Sequence, residues 1–92
     1  MTEKTLERFF VRKVRERGGK TYKFVSPGNT GVPDRIAISP MGEVWFVELK
    51  TESGRLSRAQ SYQIDGLRNL GCRVRVLYGR EQVERFVSDE FG

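Results

Sequence analysis

The chain has 92 residues, of which 37% are hydrophobic and 32% charged, so it has room for one domain around one core. It has no histidine and a single cysteine, Cys72, which excludes a zinc site with four nitrogen or sulfur ligands and any Ser–His or Cys–His nucleophile pair. No apolar run approaches the roughly 20 residues that a membrane span needs. We therefore expect one cytoplasmic domain over residues 1–92, with no membrane partner.

Positive charge exceeds negative charge, with 17 Lys and Arg against 12 Asp and Glu and a net charge of +5. The excess lies in residues 1–20, with net charge +4, and in residues 50–80, with net charge +5, whereas residues 81–92 carry −3. Basic segments of this kind favour binding to nucleic acid or another polyanion. The alternative is an ordinary solvated basic surface.

The hydrophobic pattern predicts three helices and four strands. The first helix has Leu6, Phe10 and Val14 at fourfold spacing, and Ser57 is placed to cap the second. In chain order we predict a helix over 3–17, strands over 21–26, 34–39 and 43–50, a helix from Ser57 to about Leu70, a strand over 73–78 and a helix over 80–90. The order αβββαβα predicts an α/β fold, with a central mixed four-stranded sheet flanked by helices.

The two middle strands are predicted to form a hairpin around a three-residue loop that ends at Gly42 in the left-handed conformation. Counted back from this turn, Asp34 faces Glu48 on one side of the sheet, and Lys50 lies on that side two residues further on. Both faces of the hairpin are apolar at its middle, which is typical of central strands that are covered on both sides.

Two facing carboxylates at the end of a buried strand pair repel each other and destabilise the sheet unless a cation bridges them. Oxygen ligands suit Mg²⁺ or Mn²⁺, and a neighbouring ammonium such as that of Lys50 can orient a water molecule or stabilise charge on a phosphate. The alternative is an exposed hairpin end at which Lys50 simply neutralises Glu48. The apolar strands favour the metal hypothesis.

Glu7 falls inside the apolar arc of the first helix, where an acidic side chain is unusual unless it is paired or bound to a metal. It is either a third carboxylate of the site or an edge residue that pairs with basic neighbours on its own helix. Gln60 also has two interpretations. It completes a capping box with Ser57, or it faces the hairpin end and contacts a water molecule or a phosphate.

The ordered set of motifs resembles the PD-(D/E)XK nuclease superfamily and, within it, the VRR-NUC family, whose stand-alone members are small and often phage-encoded. The likeness covers nearly the whole chain. The residues on which the likeness rests are Glu7 ahead of Gly18-Gly19, the run Gly31-Val32-Pro33-Asp34-Arg35, the run Val47-Glu48-Leu49-Lys50, and Gln60. The resemblance implies a restriction-endonuclease-like core and a phosphodiesterase that hydrolyses DNA with a divalent metal, without a small-molecule cofactor.

The resemblance also implies roles for individual residues. Asp34, Glu48 and the backbone carbonyl of Leu49 would bind Mg²⁺ or Mn²⁺, Lys50 would assist the attacking water, and Gln60 would belong to the active site. Glu7 would complete the acidic cluster as a further ligand. Stand-alone relatives resemble Holliday-junction resolvases, so the resemblance also implies a homodimer.

Contacts to the DNA backbone are assigned to side chains of the basic segments and of the stretch before the site: Lys4, Arg8, Arg12, Lys23, Ser26, Arg55 and Arg58. For Lys23 and Ser26, ordinary strand and turn roles are the favoured alternative. A dimer interface would come from the strand at 73–78 or from the helix at 80–90, unless their apolar residues only complete the monomer core. Two other functions stay open at this point: a non-catalytic DNA-binding module, and a structural subunit of a DNA-processing complex.

Overall fold

Seven elements follow one another in the predicted order in a computed structural model that describes residues 1–92. They are α1 (Glu3–Glu16), β1 (Lys20–Lys23), β2 (Arg35–Ile38), β3 (Val44–Lys50), α2 (Arg58–Asn69), β4 (Arg73–Tyr78) and α3 (Gly79–Phe91). The bounds of β4 are those predicted. Strand β1 ends at Lys23, earlier than predicted, and a turn follows it in which Asn29 N–H donates to the Ser26 carbonyl at 3.0 Å. None of the three helices combines the length and apolar character needed to cross a bilayer.

The four strands form one mixed sheet in the order β1-β2-β3-β4, which confirms the predicted fold class. Strand β2 is antiparallel to both β1 and β3, and β4 runs parallel to β3. The predicted hairpin register is confirmed, with Ile36 opposite Phe46 and Ile38 opposite Val44. The turn contains Gly42 at φ +85°, a conformation that glycine adopts without a steric penalty.

The hydrophobic core lies between one face of the sheet and the two terminal helices. Helix α1 contributes its apolar stripe, α3 contributes Val83, Phe86 and Val87, and the sheet contributes Trp45 and its neighbours. The Trp45 and Phe86 rings meet edge to face at 5.3 Å, a geometry that adds to the burial of both rings. These contacts fix α1 against the strands that carry the candidate site.

The opposite face of the sheet is covered only in part. Here α2 contacts β4, and Gln60 reaches β3. Along the other strands Ile36 and Phe46 are half-buried, and Tyr22 is 54% exposed. The expectation that both faces are covered therefore holds fully for one face only. A single helix about 10 Å wide cannot shield four strands spaced about 4.8 Å apart.

Candidate active site

Asp34 lies one residue before β2, just beyond the last ladder pair of Arg35 and Val47. Its backbone carbonyl accepts a hydrogen bond from Phe24 N–H at 2.9 Å. Its side-chain Oδ2 accepts a second from Leu49 N–H at 3.0 Å. The carboxylate is therefore held against the end of β3, next to Glu48.

Glu48 points from β3 toward α2, and only 1% of its side chain is exposed. Its Oε2 accepts a hydrogen bond from Gln60 Nε2 at 3.1 Å and lies 3.8 Å from Lys50 Nζ. Its Oε1 is buried and has no hydrogen-bond partner. A buried carboxylate oxygen left unpaired costs free energy, and a cation is the group that would relieve this cost.

Electrostatics at the site favour protonated carboxyls in the absence of a cation. Burial raises the pKa of Glu48 to about 7, with repulsion from Asp34 as the second cause and attraction by Lys50 opposing both. Burial also raises the pKa of Asp34, against the hydrogen bond from Leu49 N–H, and the negative charge of Glu7 adds to the rise. Two carboxyls that resist ionisation together form a site that a divalent cation would stabilise.

Gln60 forms the predicted capping box and also contacts a carboxylate at the hairpin end, whereas its contact with a water molecule or a phosphate stays a prediction. Its Oε1 accepts from Ser57 N–H at 2.9 Å and Ser57 Oγ accepts from Gln60 N–H at 3.1 Å, so the capping box is present. Its Nε2 donates to Glu48. The cap thus fixes the side chain that holds the buried carboxylate.

Gly31 allows the loop before Asp34 to lie against the start of α2. It has φ +94°, and a Cβ there would come within 2.5 Å of the Ala59 carbonyl carbon and 2.7 Å of Gln60 N. No other residue fits so close to a helix backbone. The loop that carries Asp34 and the helix that carries Gln60 are therefore in direct backbone contact.

Glu7 does not join the two carboxylates as a ligand cluster. Its Oε2 accepts a hydrogen bond from Arg35 Nε at 2.8 Å, and both side chains are partly buried. No three Asp, Glu, Cys or His side chains of the chain are grouped so that they could hold a metal ion. Glu7 thus pairs with a cation on β2 rather than on its own helix, and its role as a further metal ligand stays a prediction.

The predicted DNA contacts divide between the two layers of helices. Lys4, Arg8 and Arg12 are exposed along α1, and all three line one cavity. Arg55 and Arg58 are exposed at the N-terminal end of α2. Of the other two, Lys23 is exposed at the end of β1, whereas the Ser26 hydroxyl is held in the turn by the Asn29 side chain at 2.9 Å.

Arg35 was missed by the sequence analysis, although a signal was present. Its strand partner is the buried Val47, so it is a lone cation on the apolar face of the hairpin. Glu7 is likewise a lone anion on the apolar arc of α1. Each of these charges needs a partner when buried, and pairing the two would have been a sound prediction.

The raised pKa of Glu48 predicts a stability that depends on pH in metal-free protein. Because the native pKa of about 7 lies above the usual 4.5, folded protein binds this proton more tightly. Stability is therefore highest below pH 4.5, on this account alone, and falls as the pH rises through 7. We expect Glu48→Gln to stabilise the protein in EDTA by about 1–3 kcal/mol at pH 8 and by much less at pH 5.

Urea denaturation at the two pH values measures this difference. The exposed Glu43 on the same hairpin provides the matched control, Glu43→Gln. Equal stabilities of the two variants at pH 8 would show that the Glu48 carboxylate carries no burial penalty.

Comparison with known proteins agrees with this geometry. Residues 2–81 match the family model of the VRR-NUC domain. A phage protein named "Putative nuclease p44", from Acyrthosiphon pisum secondary endosymbiont phage 1, is 43% identical over 75 residues, which cover 82% of this chain and 81% of that protein.

Two solved structures have the same fold. One, described as a VRR_NUC domain, has a TM-score of 0.89 and 27% identity and covers 99% of this chain and 100% of its own. Another, described as a VRR_NUC domain protein, has a TM-score of 0.79 at 17% identity and covers 99% and 88% of the two chains, which shows the fold alone. With its site motifs, its matched fold and a family model that spans most of its length, this chain belongs to the VRR-NUC family of nucleases.

Proposed function

We propose that this protein, acting as a single nuclease domain over residues 1–92, is an endonuclease that hydrolyses phosphodiester bonds in DNA with Mg²⁺ or Mn²⁺. Membership of the VRR-NUC family supports the assignment as a nuclease, a hydrolase that acts on DNA. The metal dependence rests on one observation in particular: the buried Glu48 Oε1 has no partner, beside a second carboxylate whose pKa is also raised.

The donor set fits a hard divalent cation. Asp34 and Glu48 supply carboxylate oxygens, the Leu49 backbone carbonyl is the proposed third ligand, and the chain has no histidine to favour a softer metal. Such an ion, when bound, supplies positive charge to the phosphate and lowers the pKa of water.

The chain's own residues supply the remaining chemistry. Lys50 is 9% exposed, and its ammonium lies beside Glu48, where it can donate a hydrogen bond to the attacking water or to a phosphate oxygen. Gln60 holds one oxygen of Glu48 and leaves the other free. Asp34 is held through Oδ2 by Leu49 N–H. Each carboxylate is thereby oriented before substrate or metal arrives, which is what preorganised catalysis needs.

Cleavage should require the divalent ion and both carboxylates. We expect supercoiled plasmid to be nicked with Mg²⁺ or Mn²⁺ and to stay intact in excess EDTA. Lys50→Ala should lower the cleavage rate by about 10²–10³-fold while metal binding, measured by calorimetry, persists. Asp34→Ala should abolish both cleavage and metal binding.

Circular dichroism of each variant checks that the fold is kept. Robust nicking in EDTA would contradict the metal mechanism. Failure of the folded wild-type protein to cut any DNA would leave a DNA-binding module or a structural subunit as the function.

One substitution at Gln60 distinguishes its role in the helix cap from a role at the active site. Glutamate caps a helix as well as glutamine does, so Gln60→Glu should leave thermal stability near that of the wild type at pH 5. It removes the donor to Glu48 and adds a negative charge there. We therefore expect a roughly 100-fold loss of cleavage rate. Normal cleavage would mean that only the cap matters.

Branched DNA, such as a Holliday junction, is the substrate we propose, with a homodimer as the active form. A four-way junction needs two symmetric cuts, which a twofold dimer supplies directly. Of the residues considered for a dimer interface, Val74 on β4 and Val83 and Phe86 of α3 are buried within the monomer and are not available to a partner. The edge of β4 stays open in the monomer, and Val76 and Tyr78 on it are half-buried.

Paired cutting is the outcome expected of a dimer. Light scattering at micromolar concentration should give about twice 10.6 kDa. A supercoiled plasmid with an extruded cruciform should be linearised by two cuts in one encounter, since a single nick releases the supercoiling and the cruciform is reabsorbed. A strict monomer that gives only nicked circles, and that cuts linear duplex as well as junctions, would contradict the proposal.

A further inference from the structure

A basic cavity of about 360 Å³ lies along α1 beside the candidate active site. We name it the α1 groove and define it by the charged side chains that line it: Lys4, Arg8, Arg12, Arg15, Arg35 and Glu7. Five cationic groups and one carboxylate give it a net charge of +4. So many cations around one cavity repel each other unless an anion is bound among them.

Most of these cations have no acidic partner in the protein. Lys4, Arg8 and Arg15 form no ion pair, and Arg12 approaches Glu16 at 3.8 Å with both side chains more than half exposed. The four arginines of β4 and α3, by contrast, each pair with a glutamate, as Arg75 does with Glu90 at 2.9 Å. The positive charge of the groove is therefore available to a ligand.

Arg35 is the cation of the groove whose side chain is fixed by a hydrogen bond within the protein. Its side chain is 18% exposed, and Glu7 accepts its Nε–H at 2.8 Å. The two terminal amino groups of the guanidinium make no hydrogen bond within the protein, so they remain available as a fork. A planar fork of this kind matches two oxygens of a phosphate.

The position of Arg35 connects the groove with the site. Arg35 follows Asp34 directly, so the two α-carbons are about 3.8 Å apart, and strand alternation turns their side chains to opposite faces. The groove therefore adjoins the strand end that carries Asp34, but from the other face of the sheet.

The cationic residues of α1 lie in a row along the helix, starting near Arg35. Lys4 and Arg15 are 11 residues apart, or about 16 Å along the helix. Arg15 also lines a second cavity of about 310 Å³, which adds Lys20 from β1. Phosphates rise by about 3.4 Å per step of one DNA strand, so this length suits several consecutive phosphates.

We propose that the α1 groove binds the DNA backbone beside the cleaved bond, with Arg35 gripping a flanking phosphate and Glu7 acting as the positioning residue for its guanidinium. The inference deepens the proposed function and rests on it. The ligand is a run of backbone phosphates, recognised by charge and not by base sequence.

Salt dependence of binding tests the groove separately from cleavage. Affinity for a fluorescent duplex is measured by anisotropy in EDTA, from about 50 to 200 mM salt. The double variant Arg8→Gln/Arg15→Gln should lower the slope of log K against log salt by about 2, since each lost phosphate contact removes about 0.9. The exposed Arg85 of α3 gives the matched control, and Arg85→Gln should leave the slope unchanged.

Arg35 and Glu7 are tested as a pair in the same assay. Arg35→Lys keeps the charge but loses the fork, and we expect affinity to fall about tenfold. Glu7→Ala removes the acceptor for Arg35 Nε, so the weakening caused by a neutral methylphosphonate at the flanking phosphate should become smaller, whereas Glu7→Gln keeps an acceptor and should keep that weakening. A neutral methylphosphonate at the flanking phosphate should weaken binding by the wild type and have little effect on Arg35→Lys.

The outcomes separate this inference from the proposed function. If wild-type protein binds and cuts DNA while the groove variants keep its affinity and salt slope, the groove is not the binding surface and the nuclease assignment stands. If wild-type protein neither binds nor cuts DNA, both fail together. Thermal melting of each variant confirms that the affinities compare folded proteins.

Discussion

The buried carboxylate of Glu48 is the constraint on which the rest of the site depends. Its place on β3 puts a negative charge inside the sheet, where ladder partners on both sides prevent the strand from moving to expose it. Gln60 and Lys50 offset part of this cost, yet Oε1 remains without a partner. Thr21 Oγ1 and Trp45 Nε1 are also buried without partners, but only Glu48 Oε1 belongs to a carboxyl group, and a binding function explains why it is kept.

Holding that carboxylate requires α2 to begin at one particular place. The capping box fixes the first turn of α2, and the donor to Glu48 belongs to the same glutamine that closes the box. Gly31 then lets the loop before Asp34 pack against that turn. The cap of α2, the loop before Asp34 and the end of β3 are thus in direct contact with one another. A change in any of them would displace an oxygen of Asp34 or Glu48.

The hairpin was predictable because the side-chain period of a strand is two. Once Gly42 fixes the turn, the register of β2 against β3 follows residue by residue up to Asp34. The length of β1 was less predictable, because the apolar residues Phe24 and Val25 continue the strand pattern beyond its end at Lys23. The sequence left two interpretations of Gln60 open, and the fold shows the capping box together with a contact to Glu48 that neither interpretation named.

Contacts between distant segments were harder to predict. Glu7 and Arg35 are 28 residues apart, and no local sequence pattern predicts that α1 packs against β2 where Arg35 lies. Helical spacing alone paired Glu7 with its own helix. Tertiary packing pairs Glu7 with Arg35 instead, because the apolar stripe of α1 packs on the face of the sheet where Arg35 is the one charged residue of β2 and β3.

Counting charges along the chain did not show which arginines are free to bind an anion. Arg73 and Arg75 contribute to the basic segment 50–80, yet both pair with glutamates and lie over the Trp45 ring. Arg73 thereby links β4 to the hairpin turn, and Arg75 links β4 to α3. Arg8 on α1 and Arg58 on α2 have no such partners, and their helices cover opposite faces of the sheet. The available positive charge therefore lies on both sides of Glu48, which is the distribution that a polyanion crossing the strand ends would meet.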